Sequence, residues 1–426
     1  MENRYEKYKD SGIAWIGEIP EHWDTYQLKR CSKFINGYAF NSNHFNKDKG
    51  IPVIRIGDIL NEQISFENIV YVQENNELEK FMAHKNDILI AMSGATVGKI
   101  GIYSTEDKVY INQRVGIIRT IQYNFIKRMF TTNGFVDYVN LSSAGSAQPN
   151  ISSEEIVNFY IPAPSIKEQQ LIATYLDQKC GEIDELITLQ EEMITKLQNY
   201  KQSVITEAVT KGLDKNVPLK DSGIEWIGKI PDHWNTYQLK RCSKFINGYA
   251  FNSNHFNKDK GIPVIRIGDI LNEQISFENI VYVQENNELE KFIVHKNNIL
   301  IAMSGATVGK IGVYNSDDKV YINQRVGIIR TTQYNYIKRM FSTNGFIDYI
   351  NLSSAGSAQP NISSDGILNF HIPVPPLNEQ QTIANYLDQK CSEIDELISI
   401  KQQKIEKLKD YKKSLIFECV TGKRKV

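Results

Sequence analysis

The sequence lacks the segments that carry proteins into or across membranes. No apolar run approaches the roughly 18 residues that a membrane span needs. The N-terminal stretch MENRYEKYKDSG is charged and contains no apolar region of the kind found in secretory signal peptides. We therefore expect a cytoplasmic protein.

Cysteine is scarce, with five residues in 426, and no two of them form a CxxC pair. No histidine clusters with them at a spacing typical of metal ligands, so a zinc site and a disulfide framework are both disfavoured. We expect buried apolar thiols and no metal in this chain. The five are Cys31, Cys180, Cys242, Cys391 and Cys419.

The chain also lacks an excess of either charge, because 49 Lys and Arg face 50 Asp and Glu and the net charge is -1. Domains that bind nucleic acid usually carry a basic excess, so this total disfavours such a partner. The distribution changes that conclusion. Residues 232–361 contain 14 basic and 11 acidic residues, whereas residues 168–210 contain three basic and eight acidic ones. A mildly basic domain beside an acidic segment is compatible with weak binding to DNA.

An internal repeat organises the chain. KDSGIAWIGEIPEHW at Lys9 returns as KDSGIEWIGKIPDHW at Lys220, a period of 211 residues. Between residues 21–150 and 232–361, only 14 of 130 aligned positions differ. A period of this length exceeds that of solenoid repeats and matches a whole domain with a connecting element. The protein therefore consists of two tandem copies of one unit.

The first part of each copy has a mixed α/β pattern. Four short β-rich runs have turn residues at their ends, as strands should: GIPVIRIGDI at Gly50, FENIVYV at Phe66, NDILIAMSG at Asn86 and YINQRVGIIRT at Tyr110. In YNFIKRMFTTNGFVDYVNL, which begins at Tyr123, apolar residues recur at intervals of three and four. That spacing predicts a helix.

A long helix is predicted next in each copy, from Glu168 to about Val209 in the first. This segment has no proline and one glycine, and its apolar residues recur every seven positions, as in a coiled coil. Ser165 and Glu168 have the spacing of a capping box. About 42 residues at 1.5 Å each give a helix roughly 60 Å long. The predicted seam residues are Leu176, Ile183, Leu186, Met193, Leu197, Leu387, Ile394, Leu397 and Leu408.

The only partner that the chain supplies for one long helix is the helix of the other copy. Antiparallel packing would relate the copies by a pseudo-twofold axis, the symmetry of a protein that reads an inverted DNA repeat. We therefore predict an α/β (α+β) protein in which two long antiparallel coiled-coil helices separate two similar mixed α/β domains. The predicted domains are residues 1–165 and 213–376, and the predicted helical segments are residues 166–212 and 377–426.

The doubled motifs closely resemble those of the specificity subunits (HsdS family) of type I restriction-modification systems. The resemblance covers nearly the whole chain, and the repeated order of the motifs is more specific than any one of them. The motifs are DSGIxWIGxIPxHW at Asp10 and Asp221, NGYAFNS, IPVIRIGDI, SGATVGKIG at Ser93 and Ser304, AQPNIS at Ala147 and Ala358, and the helix openings IPAPSIKEQQLIATYLDQ and IPVPPLNEQQTIANYLDQ.

In that family each globular part is a target recognition domain, which reads one half of a bipartite site in double-stranded DNA. The long helices space the two domains and dock two methyltransferase subunits, which carry S-adenosylmethionine and flip and methylate adenine. Restriction and translocase subunits, which use ATP and Mg, join to complete the complex. The resemblance thus implies a non-catalytic DNA-binding chain with no cofactor of its own and no membrane partner.

Motifs for catalysis are missing from this sequence. It has no NPP[FY] or DPPY string to hold a flipped adenine and no GxGxxG for a cofactor. SGATVGKIG is similar to a phosphate-binding loop, but three residues instead of four separate Gly94 from Gly98, and Ile100 stands where Ser or Thr would hold magnesium. We interpret this motif as a β-hairpin with glycine turns.

The candidate DNA-contacting residues come from the two recognition domains. Lys and Arg neutralise phosphates or donate in pairs to guanine, and Asn and Gln have the geometry to read adenine. Taken singly, each is more often an ordinary surface residue, and base readers are expected in the loops between the family motifs. The candidates are Lys29, Arg30, Arg55, Lys99, Asn112, Gln113 and Arg114, with Lys240, Arg241, Arg266, Lys310, Asn323, Gln324 and Arg325 in the second copy.

Nearly identical domains predict nearly identical half-sites. The expected target is an interrupted palindrome, in which the same sequence of about three to five base pairs is read twice on opposite strands, about 34–36 Å apart. Two differences would break this symmetry if they reach bases, namely Asp87 with Asn298 and Ile121 with Thr332. Two alternatives remain open: the recognition part of a restriction enzyme that acts without separate partners, and a coiled-coil scaffold that binds no DNA.

Overall fold

The computed structural model describes residues 4–60, 62–143, 148–271, 273–354 and 360–426. The chain divides into two compact units. The N-terminal unit extends to Gln190 and also includes Gln403–Val426, and the C-terminal unit is Glu191–Gln402. Ala147 and Ala358, which begin the AQPNIS motif in each copy, lie outside the described residues. No helix within the described ranges is long and apolar enough to cross a membrane.

The first copy of the repeat forms short strands and three short helices before the first long helix. Strands β1 to β14 are Tyr8–Asp10, Glu18–Pro20, Asp24–Gln27, Lys33–Asn36, Ile51–Ile54, Ile59–Leu60, Gln63–Ile64, Val70–Val72, Met82–Ala83, Ile88–Ala91, Ile100–Ile102, Val109–Ile111, Val115–Arg119 and Tyr160–Ala163. Helices α1 to α4 are Tyr123–Met129, Asn133–Ser142, Ser153–Asn158 and Ile166–Lys211.

The second copy repeats this order of elements, except that the counterpart of β9 is a single bridge between Ile293 and Tyr321. Strands β15 to β27 are Leu219–Asp221, Lys229–Pro231, Asn235–Gln238, Lys244–Asn247, Ile262–Ile265, Ile270–Leu271, Gln274–Ile275, Val281–Val283, Ile299–Ala302, Ile311–Val313, Tyr321–Ile322, Val326–Arg330 and His371–Val374. Helices α5 to α8 are Tyr334–Met340, Asn344–Ser354, Ser364–Leu368 and Leu377–Val420.

An antiparallel sheet in the order β11-β10-β13-β4 lies at the centre of the N-terminal unit. The four residues of β10 are all buried. Ile88 and Ile90 pack into the core that contains the helices, while Leu89 and Ala91 pack into a second core on the opposite face. A strand covered on both faces has no apolar and polar alternation, which explains the run ILIA. A mixed sheet, β8-β5-β12-β9, borders the second core, with β5 parallel to β12.

The SGATVGKIG motif forms the β-hairpin that the sequence predicts. Strands β10 and β11 pair antiparallel, with Ile90 opposite Ile100. Gly94 and Gly98 in the connection have φ of +77° and +79°. This left-handed conformation strains any residue with a Cβ, so the glycines serve the turn.

The apolar segment from Tyr123 forms two helices, although its spacing predicts one continuous helix. The break comes at Thr132, whose side-chain oxygen accepts a hydrogen bond from the backbone N of Phe135 at 3.4 Å and caps α2. Gly134 lies against Trp15, and a Cβ there would stand 2.3 Å from the indole ring. The apolar spacing continues through the break because Phe125 and Phe135 face the same core.

In the N-terminal unit the first part of α4 packs antiparallel against the last part of α8. The Asp184 carboxylate lies 2.7 Å from Lys412 Nζ, and Tyr175, earlier in α4, lies beside Arg424, which follows α8. The end of α8 is buried in the core of this unit, although it belongs to the second copy of the repeat. Its core residues are Leu415, Ile416, Cys419 and Val420.

The C-terminal unit contains the equivalent packing. Lys201, in the last part of α4, binds Asp395 of α8 with Nζ 2.7 Å from Oδ2. The core of this unit contains Ile205, Ala208 and Val209 from the end of α4. Each core is therefore completed by a helical segment from the other copy.

Helix α4 begins with the capping box that the sequence predicts. The backbone N of Glu168 donates to Ser165 Oγ at 3.3 Å, and the backbone N of Ser165 donates to Glu168 Oε2 at 3.1 Å. Trp23 Nε1 donates to Glu168 Oε1 at 3.0 Å, and His22 Nε2 lies 2.8 Å from the same oxygen. Burial alone raises the pKa of Glu168, but the hydrogen bonds outweigh it and lower that pKa to about 2.

We expect this carboxylate to contribute to the acid sensitivity of the N-terminal unit. Its folded pKa lies below the ordinary 4.5, so its contribution is complete above pH 4.5 and is lost as the pH falls towards 2. On acidification, Glu168→Gln should lose less stability than the unchanged protein, because it has no carboxylate to protonate. Glu185→Gln, on the exposed face of the same helix, should lose as much stability as the unchanged protein. Hydrogen exchange in residues 13–24, which differ in sequence from residues 224–235, reports on this unit alone. An unchanged acid response in Glu168→Gln would contradict this assignment.

Candidate nucleic-acid interface

Several loops meet at one end of the sheets in the N-terminal unit, and we call this region the loop end. The backbone N of Asn112 donates to the carbonyl O of Ile54 at 2.9 Å, and that of Met92 donates to the carbonyl O of Arg114 at 2.8 Å. Backbone hydrogen bonds therefore fix the relative positions of the loops. The loop end comprises residues 37–41, 55–58, 92–99, 112–114 and 148–151.

Gly37 determines how closely two of these loops approach. A Cβ at Gly37 would stand 2.1 Å from the carbonyl O of Asn112. In the C-terminal unit, a Cβ at Gly248 would stand 2.0 Å from the carbonyl O of Asn323. Only glycine permits these approaches without displacing the backbone. The NGYAF motif is therefore part of the scaffold of the loop end.

Five of the seven predicted DNA-contacting residues of the first copy lie at the loop end, namely Arg55, Lys99, Asn112, Gln113 and Arg114. Gln113 and Arg114 are exposed in the turn between β12 and β13, and Asn112 beside them is half-buried. Lys99 is exposed at the end of the β10–β11 connection. Among the described residues, the side chains of Gln113 and Arg114 have no hydrogen-bond partner. An amide and a guanidinium thus stand side by side and open to solvent.

Arg55 is committed to contacts inside the unit. Its Nη2 donates to the carbonyl O of Asn68 at 2.7 Å, and its Nε lies 3.4 Å from Asp58 Oδ2. Its backbone N also donates to Asp58 Oδ2, at 2.8 Å. These bonds hold the loop after β5 in place. Arg55 is therefore better suited to shaping the loop end than to reaching across to a ligand.

Lys29 and Arg30 lie at the opposite end of the central sheet. They precede β4, and the loop end begins after the last residue of that strand, Asn36. Lys29 Nζ donates to Asn158 Oδ1 at 2.9 Å, and Arg30 is exposed. The structure therefore does not bring the seven predicted residues to one surface.

The C-terminal unit repeats these placements. The backbone N of Met303 donates to the carbonyl O of Arg325 at 2.8 Å, as Met92 does to Arg114. The residues at its loop end are Arg266, Lys310, Asn323, Gln324 and Arg325. The residues at its opposite end are Lys240, which donates to Asn369 Oδ1 at 3.1 Å, and Arg241, whose guanidinium lies 5.2 Å from the centre of the Tyr237 ring.

The two loop ends are identical in sequence. Residues 25–81, 88–101 and 107–120 equal residues 236–292, 299–312 and 318–331, and residues 148–151 equal residues 359–362. Ile121, which is 88% exposed and differs from Thr332, follows β13 and lies at the end of the sheet away from the loop end. That difference is therefore not positioned to break the symmetry of the loop ends.

The difference between Asp87 and Asn298 is internal to each unit. Asp87 is 2% exposed and binds Arg119 with both carboxylate oxygens, at 2.9 and 2.7 Å. In the C-terminal unit, Asn298 accepts a longer hydrogen bond, 3.3 Å, from Arg330 Nε. Burial lowers the pKa of Arg330. This substitution changes a buried ion pair and not a surface.

We expect exchanging the residues at positions 87 and 298 to change the stability of the two units in opposite directions. Asp87→Asn should lower the free energy of unfolding of the N-terminal unit, because a charge-assisted pair becomes a neutral one, and Asn298→Asp should raise that of the C-terminal unit, each by about 1–3 kcal/mol. Hydrogen exchange in residues 82–91 and 293–302, which differ in sequence, separates the units. A shift of the same sign for both variants would contradict this explanation.

An exposed aromatic residue at each loop end is a feature that the sequence reasoning missed. Tyr38 is 39% exposed and Tyr249 is 41% exposed. Tyr38 pairs with Asn112 through an isolated bridge, and its ring lies 5.0 Å from that of Phe40. Aromatic rings beside amides and guanidinium groups suit contacts with nucleotides. The signal in the sequence is the tyrosine that directly follows the glycine of NGYAF.

The predicted seam residues differ in burial. Leu176, Ile183, Leu387 and Ile394 are buried, and Leu197 and Leu408 are half-buried. Leu186, Met193 and Leu397 are 43%, 39% and 46% exposed. In the N-terminal unit, Cys180 and Ile187 pack into the core beside Leu176 and Ile183. The long helices therefore present apolar side chains to solvent in each unit.

Asp177 of α4 binds two cations from the globular part of the N-terminal unit. Arg128, which is 7% exposed, and Lys127 both bind Asp177, with nitrogen to Oδ1 distances of 2.5 and 3.2 Å. In the C-terminal unit, Arg339 and Lys338 bind Asp388 in the same way. These contacts fix the orientation of each globular part on its long helix.

The cysteines are free thiols, of which Cys180, Cys391 and Cys419 are buried and Cys31 and Cys242 are half-buried. Burial raises the pKa of Cys242 to about 11 and that of Cys419 to about 12. These thiols stay protonated near neutral pH. Within the described ranges, no group of three or more His, Cys, Asp or Glu side chains could hold a metal ion.

The model of the type I restriction modification DNA specificity domain matches residues 20–199 and again residues 231–410. The chain belongs to this family. Among the family's curated members, the EcoBI specificity subunit of Escherichia coli is 24% identical over 97% of this chain and 88% of its own length. The putative MjaX specificity subunit of Methanocaldococcus jannaschii is 27% identical over 96% of both chains. The protein is therefore a type I restriction-modification specificity subunit with two specificity domains.

Two solved structures share the fold of this chain. A chain from a study of the assembly and conformational transition of a type I system aligns with a TM-score of 0.74, at 16% identity, over 94% of this chain and 98% of its own length. The HsdS subunit from Thermoanaerobacter tengcongensis aligns with a TM-score of 0.52, at 16% identity, over 95% and 98%.

Proposed function

We propose that each unit reads one half of a bipartite site in double-stranded DNA through its loop end, and that the two half-sites have the same sequence. The observation that carries this proposal is the sequence identity of the two loop ends. Identical side chains on nearly identical scaffolds prefer identical bases. The antiparallel helix packing found within each unit supports reading the second half-site on the opposite strand, as an interrupted palindrome.

At each loop end, different exposed side chains are proposed to contact different groups of the DNA. Arg114 and Arg325 have the donor geometry for guanine or phosphate, Gln113 and Gln324 can read adenine, and Lys99 and Lys310 can neutralise phosphates. The half-buried Asn112 and Asn323 support the turn between these groups. Lys29 and Lys240, at the opposite ends of the sheets, contribute little under this assignment.

The long helices are the proposed docking surface for two methyltransferase subunits. In the N-terminal unit, Leu186 and Tyr411 are exposed, and in the C-terminal unit Leu397 and Tyr200 are exposed. Exposed apolar and tyrosine side chains of this kind favour a protein partner over solvent. The chain itself recognises DNA, while methylation with S-adenosylmethionine and cleavage with ATP and Mg belong to the methyltransferase and restriction subunits.

The proposed domains are residues 1–165 and 213–376, joined by helical segments 166–212 and 377–426, and the proposed location is the cytoplasm. The bounds of α4 and α8 support this division. The core of each unit nevertheless contains residues from the long helix of the other copy, so we do not expect a single domain to be stable alone.

The proposal is tested by mapping methylated adenines in the genome of a host that carries this chain and its methyltransferase. Inverted copies of one short sequence at a fixed spacing would support it. Cleavage by the isolated chain would favour a self-sufficient enzyme instead. A gel shift with no DNA binding at any salt concentration, with or without the methyltransferase, would favour a scaffold, because phosphate contacts give a steep salt dependence.

A further inference from the structure

The tail that follows α8 places an arginine in a slot of the N-terminal unit. Arg424 Nε lies 3.2 Å from Glu418 Oε2, and the backbone N of Arg424 donates to the carbonyl O of Glu418 at 3.1 Å. The hydroxyls of Tyr411 and Tyr175 lie beside the guanidinium, and with Glu418 they raise the pKa of Arg424. Two tyrosines and one carboxylate thus hold a guanidinium against the helix pair.

The same three residue types recur 211 positions away in the C-terminal unit. Tyr200, Tyr386 and Glu207 correspond to Tyr411, Tyr175 and Glu418. The glycine with positive φ that follows each long helix is Gly422 after α8 and Gly212 after α4. Lys423 and Arg424 follow the first, and Leu213 and Asp214 follow the second, where the chain continues into the second copy. The C-terminal unit therefore has the slot without its arginine.

An open groove of about 470 Å³ marks this place in the C-terminal unit. Tyr200, Tyr386, Glu207 and Leu213 all line it. Leu213 is 39% exposed and Tyr200 is 58% exposed. Within the described part of the chain, the exposed carboxylate of Glu207 has no ion-pair partner. The groove thus combines aromatic rings with two carboxylates, Glu207 and Asp214, of which Glu207 forms no ion pair within the described residues.

We propose that this groove binds an arginine side chain from a partner protein, in the way that the equivalent slot of the N-terminal unit binds Arg424. A guanidinium carries five N–H donors in one plane, so it can donate to a carboxylate and to two tyrosine hydroxyls at the same time, and it fits these residues better than an ammonium does. Lys211 and Lys215 at the edge of the groove do not exclude it. In the N-terminal unit the lysines on either side of Arg424 bind elsewhere: Lys423 Nζ donates to the carbonyl O of Ile16, and Lys425 Nζ lies 5.7 Å from the centre of the Tyr5 ring.

A peptide with this chain's own tail sequence, acetyl-TGKRKV, is the probe. We expect it to bind the full-length protein at the groove, and its arginine-to-lysine counterpart to bind at least about tenfold more weakly, because lysine lacks the planar set of donors that reaches the carboxylate and both hydroxyls. Glu207→Gln should lower the affinity for the arginine peptide by a similar factor. Leu213→Arg should abolish binding of the peptide, because the new side chain would occupy the groove. Both positions are exposed, so both variants should fold.

Glu191→Gln, which also removes an exposed carboxylate from α4, is the matched control and should leave peptide binding unchanged. Calorimetric titration at low salt measures each affinity. Equal binding of the two peptides, binding that survives both groove substitutions, or no binding at millimolar peptide would overturn the proposal. No DNA is present in this experiment, so its outcome is independent of the function proposed for the loop ends.

Discussion

Ile416→Ala should lower the free energy of unfolding of the N-terminal unit by about 2–5 kcal/mol and leave the C-terminal unit unchanged. Ile416 is 4% exposed in the core of the N-terminal unit, although it belongs to the second copy of the repeat. Truncating a buried isoleucine removes apolar contacts and leaves a cavity. Hydrogen exchange in residues 121–129 and 332–340, which differ at two positions, reports on the two units separately.

Ile205→Ala is the matched control for this prediction. Ile205 is the residue equivalent to Ile416 and is 1% exposed in the core of the C-terminal unit. Its substitution should therefore destabilise the C-terminal unit and spare the N-terminal one. The reverse outcome, in which each substitution destabilises the unit of its own repeat copy, would contradict the observed exchange of helical segments.

Arg114→Ala and Arg325→Ala should weaken binding of the methyltransferase complex to its DNA site by equal factors. Each removes one exposed guanidinium at an identical loop end, and a good bidentate base contact is worth about 1–3 kcal/mol, or roughly 5-fold to 150-fold in affinity. The two units contact separate half-sites in this proposal, so the double variant should show the product of the two single effects. Filter binding on a DNA that contains the mapped site measures all three.

Lys29→Ala is the control for charge alone. It removes one positive charge at the opposite end of the sheet, where Lys29 is bound to Asn158. Its effect should be far smaller than that of Arg114→Ala. Unequal losses for Arg114→Ala and Arg325→Ala would mean that the two half-sites differ.

The sequence is sufficient to predict the architecture because the repeat is strong and local. The capping box at Ser165 and the hairpin at Gly94 follow from interactions between residues close together in the chain. The strand at Ile88 is indicated by its run of apolar residues, although distant segments bury it on both faces. The two specificity domains follow from the doubled motifs. Placing Gln113 and Arg114 in one exposed turn also needs little beyond the polar break between two apolar strands.

Other features depend on contacts between distant segments. Nothing in the spacing around Tyr123 marks the break at Thr132, because the apolar positions stay in phase across it. The heptad pattern predicts that Leu186 faces the seam, but the structure exposes Leu186 and buries Cys180. The contacts with the globular part, and not the heptad spacing alone, decide which face of the helix is buried. Membership of Ile416 in the core of the N-terminal unit is decided by tertiary packing alone.

The most direct measurement of the central proposal is a genome-wide map of methylated adenines in cells that contain this chain with its methyltransferase. The account predicts one motif, made of the same few base pairs in inverted orientation around a spacer of fixed length. It also predicts that Arg114→Ala and Arg325→Ala reduce methylation of this one motif to the same extent. Two unrelated half-sites would contradict the assignment of DNA reading to the identical loop ends.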